Sequence, residues 1–226
     1  MNQRLKSAVT LLAALCAISA APAASAQSAG QFTAKFGAGR ITPKVESGDV
    51  SAPAMPGSKV AIASDTEPVL IFAYGLTDNI STEVALGLPY KHKLYGAGSI
   101  AGTGQLGTVE ALPPTVFVQY RFFEPETMVR PYVGLGLTYA YFQKATGSGQ
   151  LTAILNTGGA PATFKIDGKA AGTLQAGVAV NLNPKWFVDA TVTKTFLKVK
   201  NTYSTGQTQD VKLDPLGVIL AVGYKF

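Results

Sequence analysis

The sequence predicts an all-β protein: an eight-stranded antiparallel transmembrane β-barrel with short periplasmic turns and long extracellular loops. Three observations predict it. Apolar residues alternate with small or polar ones in eight separate stretches, the connections between them are short and long by turns, and aromatic residues gather near the strand ends. Beyond residue 26 no stretch reaches the roughly 18 apolar residues of a spanning helix. Lipid then leaves a closed sheet, because every backbone polar group must be paired inside the protein.

The first 26 residues stand apart. Arg4 and Lys6 precede an apolar run over 8–20, which closes on the small residues Ala24, Ser25 and Ala26. Charge, a short apolar core and a small-residue cleavage site together describe a secretory signal peptide. The expected division is a signal peptide over 1–26, cleaved after Ala26, and an outer-membrane barrel over 27–226 that begins at Gln27. Cys16 would leave with the signal peptide, and Leu15 before it is too bulky for lipoprotein processing. Removing Arg4 and Lys6 lowers the formal charge from +6 to +4. Nucleic-acid binders concentrate their basic residues in a patch or stripe, so no nucleic acid is expected as a partner. With no mature cysteine and a single histidine, His92, neither a zinc site nor any other cofactor is expected.

Each strand is read from its period of two. In the first, Phe32, Ala34, Phe36 and Ala38 share a face opposite Thr33, Lys35, Gly37 and Gly39. Leu70, Phe72, Tyr74 and Leu76 form the second, and Val84, Leu86, Leu88 and Tyr90 the third, across a turn at Thr77, Asp78 and Asn79. A second hairpin joins Val116, Val118, Tyr120 and Phe122 to Val133, Leu135, Leu137, Tyr139 and Tyr141 through Glu124, Pro125, Glu126 and Thr127. A third joins Leu174, Ala176, Val178 and Val180 to Trp186, Val188, Ala190 and Val192 through Asn183, Pro184 and Lys185. The last strand carries Leu216, Val218, Leu220, Val222, Tyr224 and Phe226. Segments near 44–66, 92–112, 145–165 and 201–212 are the long loops, and the glycine-rich region 96–107 reads as flexible. A soluble exported β-sandwich is the alternative that shares alternating strands and turns. An alternating end that closes on Tyr224 and Phe226 favours the barrel, as the signal that barrel-assembly machinery reads.

With the aromatic face in lipid, the lumen is mixed. Val69, Ile71, Phe117, Gly134, Gly136, Phe142, Phe187 and Ile219 are its candidate solute lining, with Ala73, Thr115, Gln119, Thr138, Thr191, Thr193 and Gly217 beside them. Eight strands enclose little more than their own side chains, so any passage is slim and interrupted. Two readings stay open and can coexist: simple core filling, and a lining that binds an apolar solute.

The same register turns six charged residues inward near the periplasmic ends: Lys35, Glu83, Arg121, Arg130, Asp189 and Lys225. Unpaired charges there would each cost several kcal/mol, so a bonded network that closes this end is expected. Glu83 and Arg121, on adjacent strands, are the pair expected to meet. A solute from outside would then leave sideways into the membrane. At the outer surface Lys91, His92 and Lys93 suit lipopolysaccharide phosphates. No Ser-His-Asp arrangement can be inferred, and the chain is read as not an enzyme.

Several motifs in order, Lys91-His92-Lys93, Leu112-Pro113-Pro114-Thr115, Arg130-Pro131-Tyr132-Val133-Gly134-Leu135-Gly136, Lys212-Leu213-Asp214-Pro215 and Gly223-Tyr224-Lys225-Phe226, resemble the outer membrane protein W family. The loops, especially 147–162, depart from it. The resemblance implies an eight-stranded barrel with a narrow, largely hydrophobic interior, in a family not known as enzymes. It implies passive uptake or efflux of small hydrophobic molecules, with outer-membrane lipid, lipopolysaccharide and those solutes as partners. A structural or surface-interaction role, in stress or host contact, is the alternative.

Overall fold

Residues 28–226 are described by the computed structural model, so the expected signal peptide, its cleavage after Ala26 and the start at Gln27 lie outside the described residues. The strands are β1 (Phe32–Thr42), β2 (Glu46–Ser47), β3 (Ser58–Ile62), β4 (Asp65–Gly75), β5 (Ile80–Gly87), β6 (Tyr90–Gly98), β7 (Gln105–Leu112), β8 (Thr115–Arg121), β9 (Val129–Gly147), β10 (Phe164–Ile166), β11 (Lys169–Asn181), β12 (Trp186–Thr195), β13 (Lys198–Tyr203), β14 (Thr208–Lys212) and β15 (Leu216–Lys225). One short helix, α1 (Gly149–Leu155), follows β9.

Eight of these strands form a closed antiparallel ring, β1, β4, β5, β8, β9, β11, β12 and β15, with β15 returning to β1. Ring closure removes the sheet edges, which would otherwise stand as unpaired backbone. The eight alternating stretches are these strands. Side-chain bonds fix the tight turns: Thr77 Oγ1 accepts from the Ile80 amide at 2.9 Å, and Asn183 Oδ1 from the Trp186 amide at 2.8 Å. Around the outside stand Phe36, Val118, Leu135, Val188 and Leu220, all exposed, while Lys35, Glu83, Gln119 and Asp189 are buried. Apolar outside and polar inside is the arrangement of a barrel in lipid and the reverse of a soluble sandwich.

The long connections carry structure of their own. β9 runs for 19 residues, out of the barrel and into a sheet with β7, β6 and β3. β10, β13, β14 and β2 form a second small sheet. Leu94, Leu106, Val109, Phe164, Leu197, Val199 and Val211 enclose an apolar core between them, which explains why these segments are ordered sheets. The region expected to be flexible over 96–107 is partly built into this layer: Gly96 and Gly98 lie in β6 and Gly107 in β7. A Cβ on Gly96 would lie 2.2 Å from the Ile100 carbonyl oxygen, so close approach of backbone is what its glycine permits.

Tyr90 corrects the sequence reading. It was expected on the outward face with Leu86 and Leu88, yet it is buried. β5 ends at Gly87, Leu88 and Pro89 belong to no strand, and β6 restarts with the opposite parity.

Candidate functional site

The turn-side half of the barrel is filled by polar groups. Lys35 Nζ lies 2.7 Å from Glu83 Oε2 and 3.2 Å from Asp189 Oδ1. Tyr132 donates its hydroxyl to Asp189 Oδ1 at 3.0 Å. Gln119 donates to Gln175 at 2.8 Å, and Gln175 donates on to Glu83 Oε1 at 2.9 Å. Arg121 donates to Ser81 Oγ at 3.0 Å and to Gln119 Oε1 at 2.8 Å, with its guanidinium 4.8 Å from the Tyr132 ring centre. Nearer the turns, Lys225 donates to Asn181 Oδ1 at 2.7 Å beside the Phe187 ring. Arg130 donates to the carbonyls of Asp78, Phe122 and Phe123.

Among the described residues, the ion-pair partner of Glu83 is Lys35 rather than Arg121. Register explains the difference. Glu83 lies opposite Phe117, and Arg121 is four residues further along β8, a separation of about 13 Å along the strand.

The inward glycines are sockets for neighbouring side chains. A Cβ on Gly136 would lie 2.4 Å from Phe117 Cδ1, and one on Gly134 would lie 2.7 Å from Gln175 Oε1. Gly223 accommodates Phe187 in the same way, at 2.1 Å from its Cζ. Ile71 and Phe187 are fully buried in these packed layers.

Above Phe117 the packing opens into a cavity of about 100 Å³. Gly39, Ile41, Val69, Ala85 and Ile219 make an apolar wall, and Thr115, Thr138, Thr173 and Thr195 face it. The four threonine hydroxyls link β8, β9, β11 and β12 in one chain, at 2.8 Å, 2.6 Å and 3.0 Å in that order. Of the expected lining, Val69, Phe117 and Ile219 border this cavity. Gly134, Gly136, Ile71 and Phe187 belong to the layers beneath, and Phe142 packs against the outer apolar core. Thr173, Thr195, Gln175 and Tyr132 were missed. Alternation held the signal for all four: Leu174 and Ala176 outward put 173 and 175 inward on β11, Val192 outward puts 195 inward on β12, and Val133 outward puts 132 inward on β9.

Beside the cavity the barrel wall loses its ladder. Pairing of β5 with β8 stops at Ala85 opposite Thr115, and pairing of β6 with β7 begins at Tyr90 opposite Ala111. The residues between include Pro89, Pro113 and Pro114, which have no N–H to give. What bonds remain here point away from the seam: the Leu88 amide donates to Pro68 at 3.2 Å, and Pro114 accepts from the Tyr139 amide at 3.0 Å. At the same level between β12 and β15 the wall is stitched. The Thr195 amide donates to the Pro215 carbonyl at 3.1 Å, the Leu213 amide to that of Leu197 at 2.8 Å, and Asp214 Oδ1 accepts from the Leu197 amide at 2.9 Å.

In the outer layer the strand alternation divides the basic trio. His92 is buried, with Nδ1 2.8 Å from the Ala63 carbonyl, while Lys91 and Lys93 stay exposed. A carbonyl only accepts, so His92 carries its proton on Nδ1. Burial lowers its pKa below the usual 6.5 against the opposing pull of Asp65 and of that hydrogen bond. His92 is therefore a neutral structural group.

The model of the OmpW family matches residues 28–226. The chain belongs to the OmpW family. Outer membrane protein W of Vibrio cholerae is 33% identical over 226 residues, which cover 98% of this chain and all (100%) of that protein. The crystal structure of OprG from Pseudomonas aeruginosa is similar with a TM-score of 0.79 at 25% identity, over 88% of this chain and 97% of that one. The dibenzothiophene metabolism operon protein PahQ of Pseudomonas aeruginosa is 26% identical over 175 residues, 76% of this chain and 77% of that protein. This OmpW-family chain is an outer-membrane β-barrel, surrounded by lipid and, on its outer side, lipopolysaccharide. OmpW-family members are outer-membrane barrels, not known as enzymes.

Proposed function

We propose that the barrel is a passive route for small hydrophobic molecules across the lipopolysaccharide-bearing side of the outer membrane. The observation that carries this reading is the position of the cavity. It sits on a bonded plug, so a solute cannot go straight on, and it lies beside the seam bordered by exposed Leu86 and Leu88. A solute held by Val69, Phe117 and Ile219 leaves sideways into the hydrocarbon. A relative named for dibenzothiophene metabolism agrees with an apolar cargo.

The test is uptake by vesicles with a lipopolysaccharide outer leaflet, which slows unaided entry of apolar probes. The barrel should speed entry of benzene and leave that of a disaccharide unchanged. Ala85→Phe, which fills the cavity, should abolish the gain, while outward Leu135→Phe, away from cavity and seam, should keep it. Equal rates for both solutes, or a full gain with Ala85→Phe, would sink the reading in favour of a structural or surface-interaction role.

A further inference from the structure

The threonine chain has a direction. Thr115 Oγ1 donates to the Pro113 carbonyl at 3.1 Å, and a carbonyl oxygen can only accept. A hydroxyl has one proton, so the 2.8 Å contact between Thr115 and Thr138 is donated by Thr138. The same logic makes Thr173 donate to Thr138 and Thr195 donate to Thr173. Every proton of the chain is used. Each hydroxyl oxygen keeps spare acceptor capacity, and Thr195, which receives nothing from the chain, keeps the most. Reversing the chain would strip the Pro113 carbonyl of this donor, a loss in an interior where unmade bonds are costly. Hydroxyls linked in series also polarise one another, which strengthens the accepting end.

Resting on the transport reading, we infer that the cavity selects solutes with an apolar body and one hydroxyl: small alcohols and phenols in preference to hydrocarbons or ethers. The apolar wall of Ile41, Val69, Phe117 and Ile219 takes the body. Its volume, about 100 Å³, is of the order of the ~150 Å³ apolar cavity that admits benzene, so the body is about one ring in size. The solute's hydroxyl donates to Thr195. Its oxygen can in turn accept from Tyr90, whose hydroxyl stands at the Gly39 side of the same cavity. An ether can use only the second of these contacts, and a hydrocarbon neither. An ether has no proton to give, so it covers the spare acceptor of Thr195 without bonding it, which carries a desolvation cost.

The experiment uses the full barrel in lipid with methyl-labelled threonine, titrated with phenol, anisole and toluene while the Thr115, Thr138, Thr173 and Thr195 methyl resonances are followed. Phenol should bind at least tenfold more tightly than anisole or toluene. Thr195→Val should reduce phenol to the level of anisole, which keeps only the Tyr90 contact, whereas Thr195→Ser, which keeps the hydroxyl, should retain the preference. Both variants should keep the heat-modifiable gel migration of the folded barrel. Equal affinity for the three probes, or an undiminished phenol preference in Thr195→Val, would overturn the inference and leave the transport reading standing. No shift with any probe would bring down both.

Discussion

Lys35 on β1 and Glu83 on β5 meet at 2.7 Å, reaching past the intervening strand β4, where the small side chain of Ala73 lies directly opposite Glu83. With Asp189 at 3.2 Å on the far side of the lumen, the ammonium ties together strands that share no backbone bond. Both carboxylates are buried, and this ammonium is the ion-pair partner they share.

Removing that cation should be costly. Lys35→Met leaves Glu83 and Asp189 facing each other without it, and stability should fall by about 3–5 kcal/mol, the usual loss when one partner of a buried pair is taken away. The triple change Lys35→Met, Glu83→Gln, Asp189→Asn should recover much of the loss. Urea unfolding in lipid vesicles measures both, and a stable single variant would contradict the assignment of the network.

Gly136 should tolerate no side chain while Phe117 is present. Gly136→Ala sets a methyl 2.4 Å from that ring, and overpacking of this kind costs about 1–3 kcal/mol. Adding Phe117→Leu should restore part of it, a coupling that a double-mutant cycle reads directly. Leu135→Val at the neighbouring outward position, 69% exposed, should be near neutral.

Charge on the outer face should be penalised by depth. Leu135→Arg places a guanidinium among exposed apolar groups and should cost about 2–4 kcal/mol in vesicles if the site lies at the bilayer midplane. The same substitution in a water-facing sheet would cost almost nothing, so refolding equilibria in vesicles test the lipid assignment residue by residue.

The barrel strands were legible because lipid and lumen impose unlike faces, and a period of two records both. Lys35, Glu83, Arg121, Arg130, Asp189 and Lys225 were found inside for the same reason. Partner choice was not legible: which cation Glu83 meets depends on the stagger between β5 and β8, and alternation carries no stagger. Tyr90 was misplaced because two residues outside any strand reverse the parity, and that break is also the seam in the wall. The outer sheets escaped notice because their apolar residues, such as Leu94, Leu106 and Val211, face a core assembled from four separate connections.

Acid should loosen the outer layer. His92 has a pKa lowered by burial, so the unfolded chain binds its proton more readily than the folded one. Stability from this group is fully present above the usual 6.5 and declines as pH falls below it. Amide protection factors in β3, β6 and β7, corrected for the intrinsic pH dependence of exchange, should fall below about pH 6.5 in the wild type and depend less on pH in His92→Gln. A His92 imidazole that titrates above 6.5 by NMR would reverse the sign.

β9 has 19 residues, whereas about 9–11 suffice to cross the hydrocarbon. At about 3.4 Å per residue the surplus stands some 27 Å along the strand beyond the membrane, and the neighbouring sheets rise with it. The barrel is therefore a chimney rather than a hole flush with its roof. On the transport proposal, that height offers an apolar molecule from the medium a protein wall to meet ahead of the hydrated carbohydrate that ordinarily keeps it from the bilayer.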